Sequence, residues 1–234
     1  MLEKDSPILI TGCARSGAGM IAGLIHLCGA FGGEMSNKKG LYENDSIRDH
    51  IVKPYLEQMG MDPLGQYPLL QTESTLIPKW WKREVLSIID AQGYKQGIPW
   101  MYKDTKMCQM WPVWNFAFPN ARWIIVRRRT GDITQSCVKT AFMQAFKDEK
   151  IRQVIDVKTE EEGWLWWVHE HEKKFIEMMN EGLNCKIIWP ERMVHGDYQQ
   201  LYETLDWLGL RWKTEVLTFI DPLLWSNRKK ERRA

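Results

Sequence analysis

The chain has 234 residues, 44% of them hydrophobic and 26% charged, with a formal net charge of +2. That length and apolar content suit one large globular domain with a substantial core and exclude a mostly disordered chain; the near-zero net charge carries no global field for long nucleic acid, so an anion site must be local. Five widely spaced cysteines (Cys13, Cys28, Cys108, Cys137, Cys185) without a CxxC pair argue against a disulfide framework or a zinc site and for a reducing, cytoplasmic compartment. The start MLEKDSP lacks the basic flank and apolar stretch of a secretion signal, and no apolar run is long enough to span a bilayer, so no membrane partner is expected. The thirteen Trp are read mainly as core anchors.

In chain order, Ile8 to Thr11 predicts a short buried strand, followed by the glycine-rich turn GCARSGAG and a helix from about Gly17 to Leu27. That helix places Met20, Ile21, Leu24, Ile25 and Cys28 on one face. Helical patterns follow over Ser46 to Met59, with Asp45 and Ser46 as caps, and over Lys79 to Ala91; the Pro-, Gly- and Gln-rich Met61 to Pro78 reads as a long surface loop. Trp100 to Lys103 and Trp123 to Arg127 predict two more strands, with a helix from Asp132 to Phe146 after the second. A long helix over Glu160 to Asn180, a strand over Lys186 to Trp189 and helices over Tyr198 to Leu208 and Lys213 to Phe219 complete the chain. Strands alternating with helices are the pattern of a single α/β domain: three layers, with a central, mainly parallel sheet flanked by helices. The terminal RKKERRA reads as a solvated basic tail.

Gly12 and Gly17 satisfy the GxxxxG spacing of a phosphate-binding loop, and the strand-to-helix setting makes that match informative, because backbone amides and the helix dipole then face an anion. Nucleotide hydrolases of this type place Lys and Ser or Thr next, for the phosphates and Mg²⁺; here Ala18 and Gly19 stand there, which disfavours magnesium-dependent ATP or GTP hydrolysis. The cation is inside the turn instead. Arg15 precedes Ser16, and a guanidinium grips two oxygens of a phosphate or sulfate. WIIVRRRTGDITQSC repeats the strand, turn and helix pattern, with Arg127 to Arg129 at the strand's carboxyl end and Thr130 or Asp132 as helix cap. Ligands of open α/β sheets lie beyond the carboxyl ends of the strands, so Arg128 with Ser136 forms a candidate second anion site, separate from the first; the competing reading pairs these arginines with surface acids.

Together the two motifs resemble the sulfotransferase family that uses 3′-phosphoadenylyl sulfate, in particular its short bacterial or phage members. The family's loop reads approximately G-x-P-[RK]-S-G-T-T, matched by GCARSGAG, and its second motif approximately V-R-D-P-R-D-x-x-x-S, matched by VRRRTGDITQS. KKGLYENDSIRD resembles the bacterial N-x-x-G-[YF]-x-E-N stretch, FPNARWIIVRR resembles F-P-x-A-x-[FI]-I-x-x-x-R, and Lys186 to Leu224 follows the last strand and helix pair, so nearly the whole chain is covered. The resemblance implies a P-loop-type fold and transfer of a sulfuryl group, without a metal, to a hydroxyl or amine of a small-molecule or glycan acceptor, with adenosine 3′,5′-bisphosphate as product.

It further implies that Cys13, Ala14, Arg15, Ser16, Gly17, Ala18 and Gly19 hold the 5′-phosphosulfate, while Arg128 and Ser136 hold the 3′-phosphate. Arg15 would carry the charge on the leaving phosphate, Lys103 or Lys106 would add a second positive charge, and Glu43 of GLYEN would be the base. Two departures stand out. The family's Thr-Thr pair is Ala18-Gly19 and its proline is Ala14; each lost hydrogen bond to a charged group weakens transition-state stabilisation by ~1.5–3 kcal/mol. The rivals are a nucleotide-binding protein of the same fold without turnover and a nucleotide or nucleoside kinase. His169 and His171, two apart on one helix, are poor co-ligands and read as solvated surface; Trp164, Trp166 and Trp167 read as core. The Met61 to Pro78 loop and the helix from Glu160 should build the acceptor pocket.

Overall fold

The computed structural model describes residues 4–36, 40–220 and 225; the basic tail and Lys38 and Lys39 of the KKGLYEN stretch lie outside them. From the N-terminus, β1 (Ile8–Gly12) leads through the glycine turn into α1 (Ala18–Leu27), then a two-stranded hairpin, β2 (Met35–Ser36) and β3 (Glu43–Asn44). Next, α2 (Asp45–Ile47) continues through a π-helical stretch, Arg48–Val52, into α3 (Lys53–Gln58). Beyond the long loop come α4 (Trp81–Ala91), β4 (Met101–Lys103), α5 (Trp111–Ala117), β5 (Arg122–Val126), α6 (Thr130–Lys139) and α7 (Glu149–Val154). The chain then forms α8 (Glu160–Asn180), β6 (Cys185–Ile188), α9 (Pro190–Val194), α10 (Gln199–Leu208) and α11 (Val216–Phe219).

The central sheet has the order β4-β1-β5-β6, with every neighbour parallel; Ile8 pairs with Met101 on one side and Arg122 on the other, and Trp123 with Cys185. Its strands are near-continuous apolar runs because both faces are covered. Alternation sorts the residues: Leu9, Tyr102, Trp123 and Ile125 enter the core shared with α4, α5 and α8, whereas Ile8, Ile10, Met101, Ile124 and Val126 enter the core under α1 and α10. The architecture is therefore the expected three-layer α/β domain. Parallel pairing also sets the carboxyl ends of β1, β4 and β5 on one edge, bringing the turn after Gly12, the Lys103 to Lys106 segment and Arg127 to Arg129 together.

α8 shows how the sequence writes a long helix. Thr159 Oγ1 accepts from the Glu162 amide at 3.1 Å while the Glu162 carboxylate accepts from the Thr159 amide at 3.0 Å, a reciprocal cap. Trp164, Trp167, Val168, His171, Phe175 and Met178 then recur at three-and-four spacing on the buried face. Burying an aromatic side chain such as Phe175 contributes roughly 1.5–3 kcal/mol. His171 overturns the solvated-surface expectation: it is 1% exposed, with Nδ1 2.8 Å from the Trp167 carbonyl.

Three local expectations are also revised. The helix after β5 stops at Lys139 rather than Phe146, since Thr140 turns extended and the Gln66 side chain takes over the next segment: its Oε1 accepts from the Gln144 and Ala145 amides at 2.7 and 3.1 Å, and its Nε2 donates to the Phe142 carbonyl at 2.8 Å. The cap of α2 is Asn44, whose Oδ1 accepts from the Ile47 amide at 3.1 Å, not Asp45 or Ser46. Neither Thr130 nor Asp132 caps α6; Thr130 is its first residue, and Asp132 pairs with Arg129 at 3.3 Å. All five cysteines are unpaired thiols, and among the described residues no helix is long and apolar enough to cross a membrane.

Candidate active site

The turn after β1 is shaped to leave donors unspent. The Ser16 amide donates to the Cys13 carbonyl at 3.1 Å, Arg15 takes the left-handed conformation at φ 71°, and Gly17, at φ 95°, begins α1 without any side-chain cap. The first amides of a helix have no intrahelical partner, and Ala18 and Gly19 both line the adjoining cavity. Ser16 Oγ is fully buried yet has no hydrogen-bond partner among the described residues. Burial pushes the Cys13 thiol well above its usual range, so it stays protonated and its place here is structural.

Of the three consecutive arginines, the structure singles out the middle one. Arg127 meets the Glu172 carboxylate and lies 5.3 Å from the Trp189 ring; Arg129 meets the Glu191 carboxylate. Arg128 is buried, has no carboxylate within ion-pair distance among the described residues, donates from Nη1 to the Arg15 carbonyl at 3.1 Å, and leaves Nε without a partner. Burial lowers its pKa, but a guanidinium remains charged. Ser136, expected beside Arg128, accepts instead from Arg15 Nε at 2.9 Å. The two anion cradles that the motifs suggest as separate thus meet: Arg15, Arg128 and Ser136 form one connected group. Trp225 closes it, its ring 4.4 Å from the Arg128 guanidinium and so near Gly17 that a Cβ there would sit 2.5 Å from the indole.

At the end of β4 the charges are paired. Lys103 Nζ lies 2.7 Å from Glu43 Oε1, Arg48 Nη1 is 3.6 Å from Glu43 Oε2, and Lys106 Nζ is 2.7 Å from Asp104 Oδ1. Asp104 also accepts from the Tyr102 hydroxyl at 2.8 Å. Burial opposes ionisation of both Asp104 and Lys106, but their mutual attraction outweighs it, holding the acid below and the amine above their ordinary values. The π-helical turn of Arg48–Val52 begins with the residue that reaches Glu43, and Arg48 is further held by Asp45 and Asp49.

These groups share a cavity of about 730 Å³. Cys13, Ala14, Arg15, Gly17, Ala18, Gly19, Glu43, Lys103, Lys106 and Arg128 line it, whereas Ser16 and Ser136 stand just behind the wall. The remaining wall comes from Leu64 and Gln66 of the long loop, Trp167 of α8, Phe142 and Met143 after α6, and Tyr42, Phe219 and Trp225. The loop and α8 were expected there. Phe142, Arg48, Lys53 and Trp225 were not, and nothing in the local pattern around Trp225 distinguishes it from the other twelve tryptophans. The departure at Gly19 has a steric cause: a Cβ on Gly19 would lie 1.7 Å from the Gly40 carbonyl oxygen, so the backbone after β2 occupies the space of a side chain. Among the described residues no group of three or more His, Cys, Asp or Glu is arranged to hold a metal.

No protein-family model matches the sequence, and no curated protein matches it. Solved structures do share the fold. The sulfotransferase domain from the curacin biosynthetic pathway superposes with a TM-score of 0.55 at 13% identity, over 92% of this chain and 78% of its own. Sulfotransferase STF9 from Mycobacterium avium gives 0.52 at 11% identity over 91% and 66%, and the sulfotransferase domain of the Synechococcus PCC 7002 olefin synthase gives 0.50 at 13% over 96% and 88%. The chain therefore has the three-layer α/β fold of sulfotransferase domains.

Proposed function

We propose that the protein is a sulfotransferase that moves a sulfuryl group from 3′-phosphoadenylyl sulfate to a hydroxyl or amine. One observation carries the reading: among the described residues lining the cavity, Arg15 and Arg128 are the cations without a carboxylate partner, and they converge beside the partnerless Ser16 hydroxyl and the open amides of α1. Such uncompensated donors, the exposed Arg15 beside the buried Arg128 and Ser16, fit a nucleotide with anionic groups at two positions. When bound, the donor supplies an activated sulfuryl group. Arg15, Ser16 and the Ala18 and Gly19 amides would hold its 5′ end and stabilise charge on the leaving phosphate, and Arg128, with Ser136 steadying Arg15, would hold the 3′-phosphate. Glu43 would take the acceptor proton through Oε2, since Lys103 occupies Oε1 at 2.7 Å. With Glu43 protonated, Lys103 would add an uncompensated positive charge at the same sheet edge, while Lys106 stays paired with Asp104.

A second reading, nucleotide binding without turnover, draws on the Gly40 backbone beside Gly19, which leaves no room for a hydroxyl there. Calorimetry with adenosine 3′,5′-bisphosphate, beside a labelled-donor transfer assay, separates the two. Binding with transfer supports the enzyme, binding without transfer supports the second reading, and magnesium-dependent ATP binding without bisphosphate binding removes both.

A further inference from the structure

The cavity extends beyond the anion group, and its remaining wall has a distinct chemistry. Leu64 and Phe142 are 57% and 54% exposed, yet neither sits on a loose loop. The Gly65 carbonyl accepts from Trp167 Nε1 at 3.1 Å and from Gln109 Nε2 at 3.2 Å, fixing the backbone beside Leu64. Gln66, itself 4% exposed, binds the Phe142 carbonyl and the Gln144 and Ala145 amides, fixing the other loop. Buried hydrogen bonds thus hold two solvent-facing apolar side chains against one opening, with the buried Met143 and Trp167 behind them. Exposing apolar surface on a rigid mount is unfavourable until something covers it.

Charge narrows the occupant. Besides Arg15 and Arg128, the cavity is lined by four cations, and each is neutralised: Arg48 by Glu43, Asp45 and Asp49, Lys53 by Asp49 at 2.7 Å, Lys103 by Glu43 and Lys106 by Asp104. With Arg15 and Arg128 taken by the nucleotide, a carboxylate or phosphate on the occupant would have to break one of these pairs, and a sugar would leave its hydroxyls facing leucine and phenylalanine. This subsite adjoins the charge cluster: a Cβ on Gly65 would fall 2.7 Å from Lys106 Cγ.

We propose that the wall formed by Leu64 and Phe142, backed by the buried Met143 and Trp167, is the acceptor subsite and that it takes an uncharged alcohol with an apolar body, not a glycan or an acidic acceptor. The proposal rests on the sulfotransferase reading for its word acceptor, while the apolar subsite stands on its own observations. Calorimetry on the full chain tests it with 2-naphthol and 1-octanol as probes and with methyl β-glucoside and 4-hydroxybenzoate as polar controls, each with and without adenosine 3′,5′-bisphosphate. The expected result is that the apolar alcohols bind at least about tenfold tighter than either control. Leu64→Asp and Phe142→Asp should each weaken 2-naphthol about tenfold or more and leave bisphosphate affinity within about twofold. Glucoside binding as tightly as 2-naphthol, or benzoate doing so in the presence of the bisphosphate, overturns the proposal, as does 2-naphthol binding unchanged in both variants. Thermal unfolding checks each variant, and Leu64→Ala with Phe142→Ala carries the same comparison should an aspartate prevent folding. If 2-naphthol binds and responds to these substitutions while the bisphosphate does not bind, the donor reading fails and the apolar subsite remains.

Discussion

Arg15 Nε donates to Ser136 Oγ at 2.9 Å, across 121 residues of sequence. This contact joins the turn after β1 to the helix after β5, and Arg128 completes the join by donating to the Arg15 carbonyl at 3.1 Å. The pairing of Gly12 with Val126 makes it possible, because two parallel neighbours end at the same height and their following loops must touch. Burial disfavours the Arg128 charge most, and Arg15 repels it in part against the pull of Asp132, costs that a bound anion offsets.

Removal of Arg128 should therefore be selective. Arg128→Ala is expected to weaken adenosine 3′,5′-bisphosphate binding roughly 10- to 100-fold, as for loss of a charged hydrogen bond of ~1.5–3 kcal/mol, and to weaken adenosine 5′-phosphate binding much less. Calorimetry with both ligands measures the difference; equal losses would remove Arg128 from the 3′ position.

Arg15 trades stability for binding. A non-glycine residue at φ 71° stores of order 1–3 kcal/mol of backbone strain, which glycine would release. Arg15→Gly should leave thermal stability unchanged or raised while abolishing measurable bisphosphate binding. A variant that unfolds at a clearly lower temperature would show that the contact with Ser136 outweighs the strain.

Restoring the family's hydroxyl at position 19 should fail. Because a Cβ there would come within 1.7 Å of the Gly40 carbonyl oxygen, Gly19→Thr is expected to destabilise the fold by roughly 1–3 kcal/mol, the usual cost of overpacking. Chemical denaturation measures the loss, and a stable, more active Gly19→Thr enzyme would contradict the placement of the Gly40 backbone.

Lys103 and Glu43, nearly buried at 2.7 Å, should be strongly coupled. Glu43→Ala leaves an uncompensated buried ammonium and should cost ~3–5 kcal/mol, whereas the double variant Glu43→Ala with Lys103→Met should recover much of that loss. Denaturation of the two single variants and the double variant closes the cycle; strictly additive losses would argue against the pair.

His171 should make the fold acid-sensitive. Burial, against the hydrogen bond that the ring donates to the Trp167 carbonyl, lowers its pKa to about 4 from an ordinary 6.5, with Lys174 adding a smaller push downward. Below the unfolded value the unfolded chain binds a proton that the native chain refuses, so the stability is complete above about pH 6.5 and is lost as pH falls toward 4, by about 3 kcal/mol in all. Denaturant midpoints across that window should fall for the natural protein and stay flatter for His171→Gln. Parallel curves would place the acid sensitivity elsewhere.

Some of this was written locally. Three of the four sheet strands are apolar runs ended by Gly or a charged residue and the fourth, β6, runs into Trp189 and Pro190, while α1 and α8 carry three-and-four periodicity, so their existence needed no distant partner to be read. The hairpin of β2 and β3 escaped because two-residue strands carry no period, and α6 outran its true end in the sequence pattern because the stop comes from Gln66, 74 residues before Thr140. The candidate site divides in the same way. The glycine turn, with Arg15 and Ser16 inside it, is short-range chemistry, while three adjacent arginines look alike until packing gives Arg127 and Arg129 acids and leaves Arg128 with none. Trp225 against Gly17, Phe142 beside the Gln66 clamp and the buried His171 likewise follow from contacts between segments far apart in the chain. Periodicity and turn chemistry determine which elements form; which charges stay unpaired depends on what the tertiary structure brings within a few ångströms, since Coulomb and hydrogen-bond energies fall away over that distance.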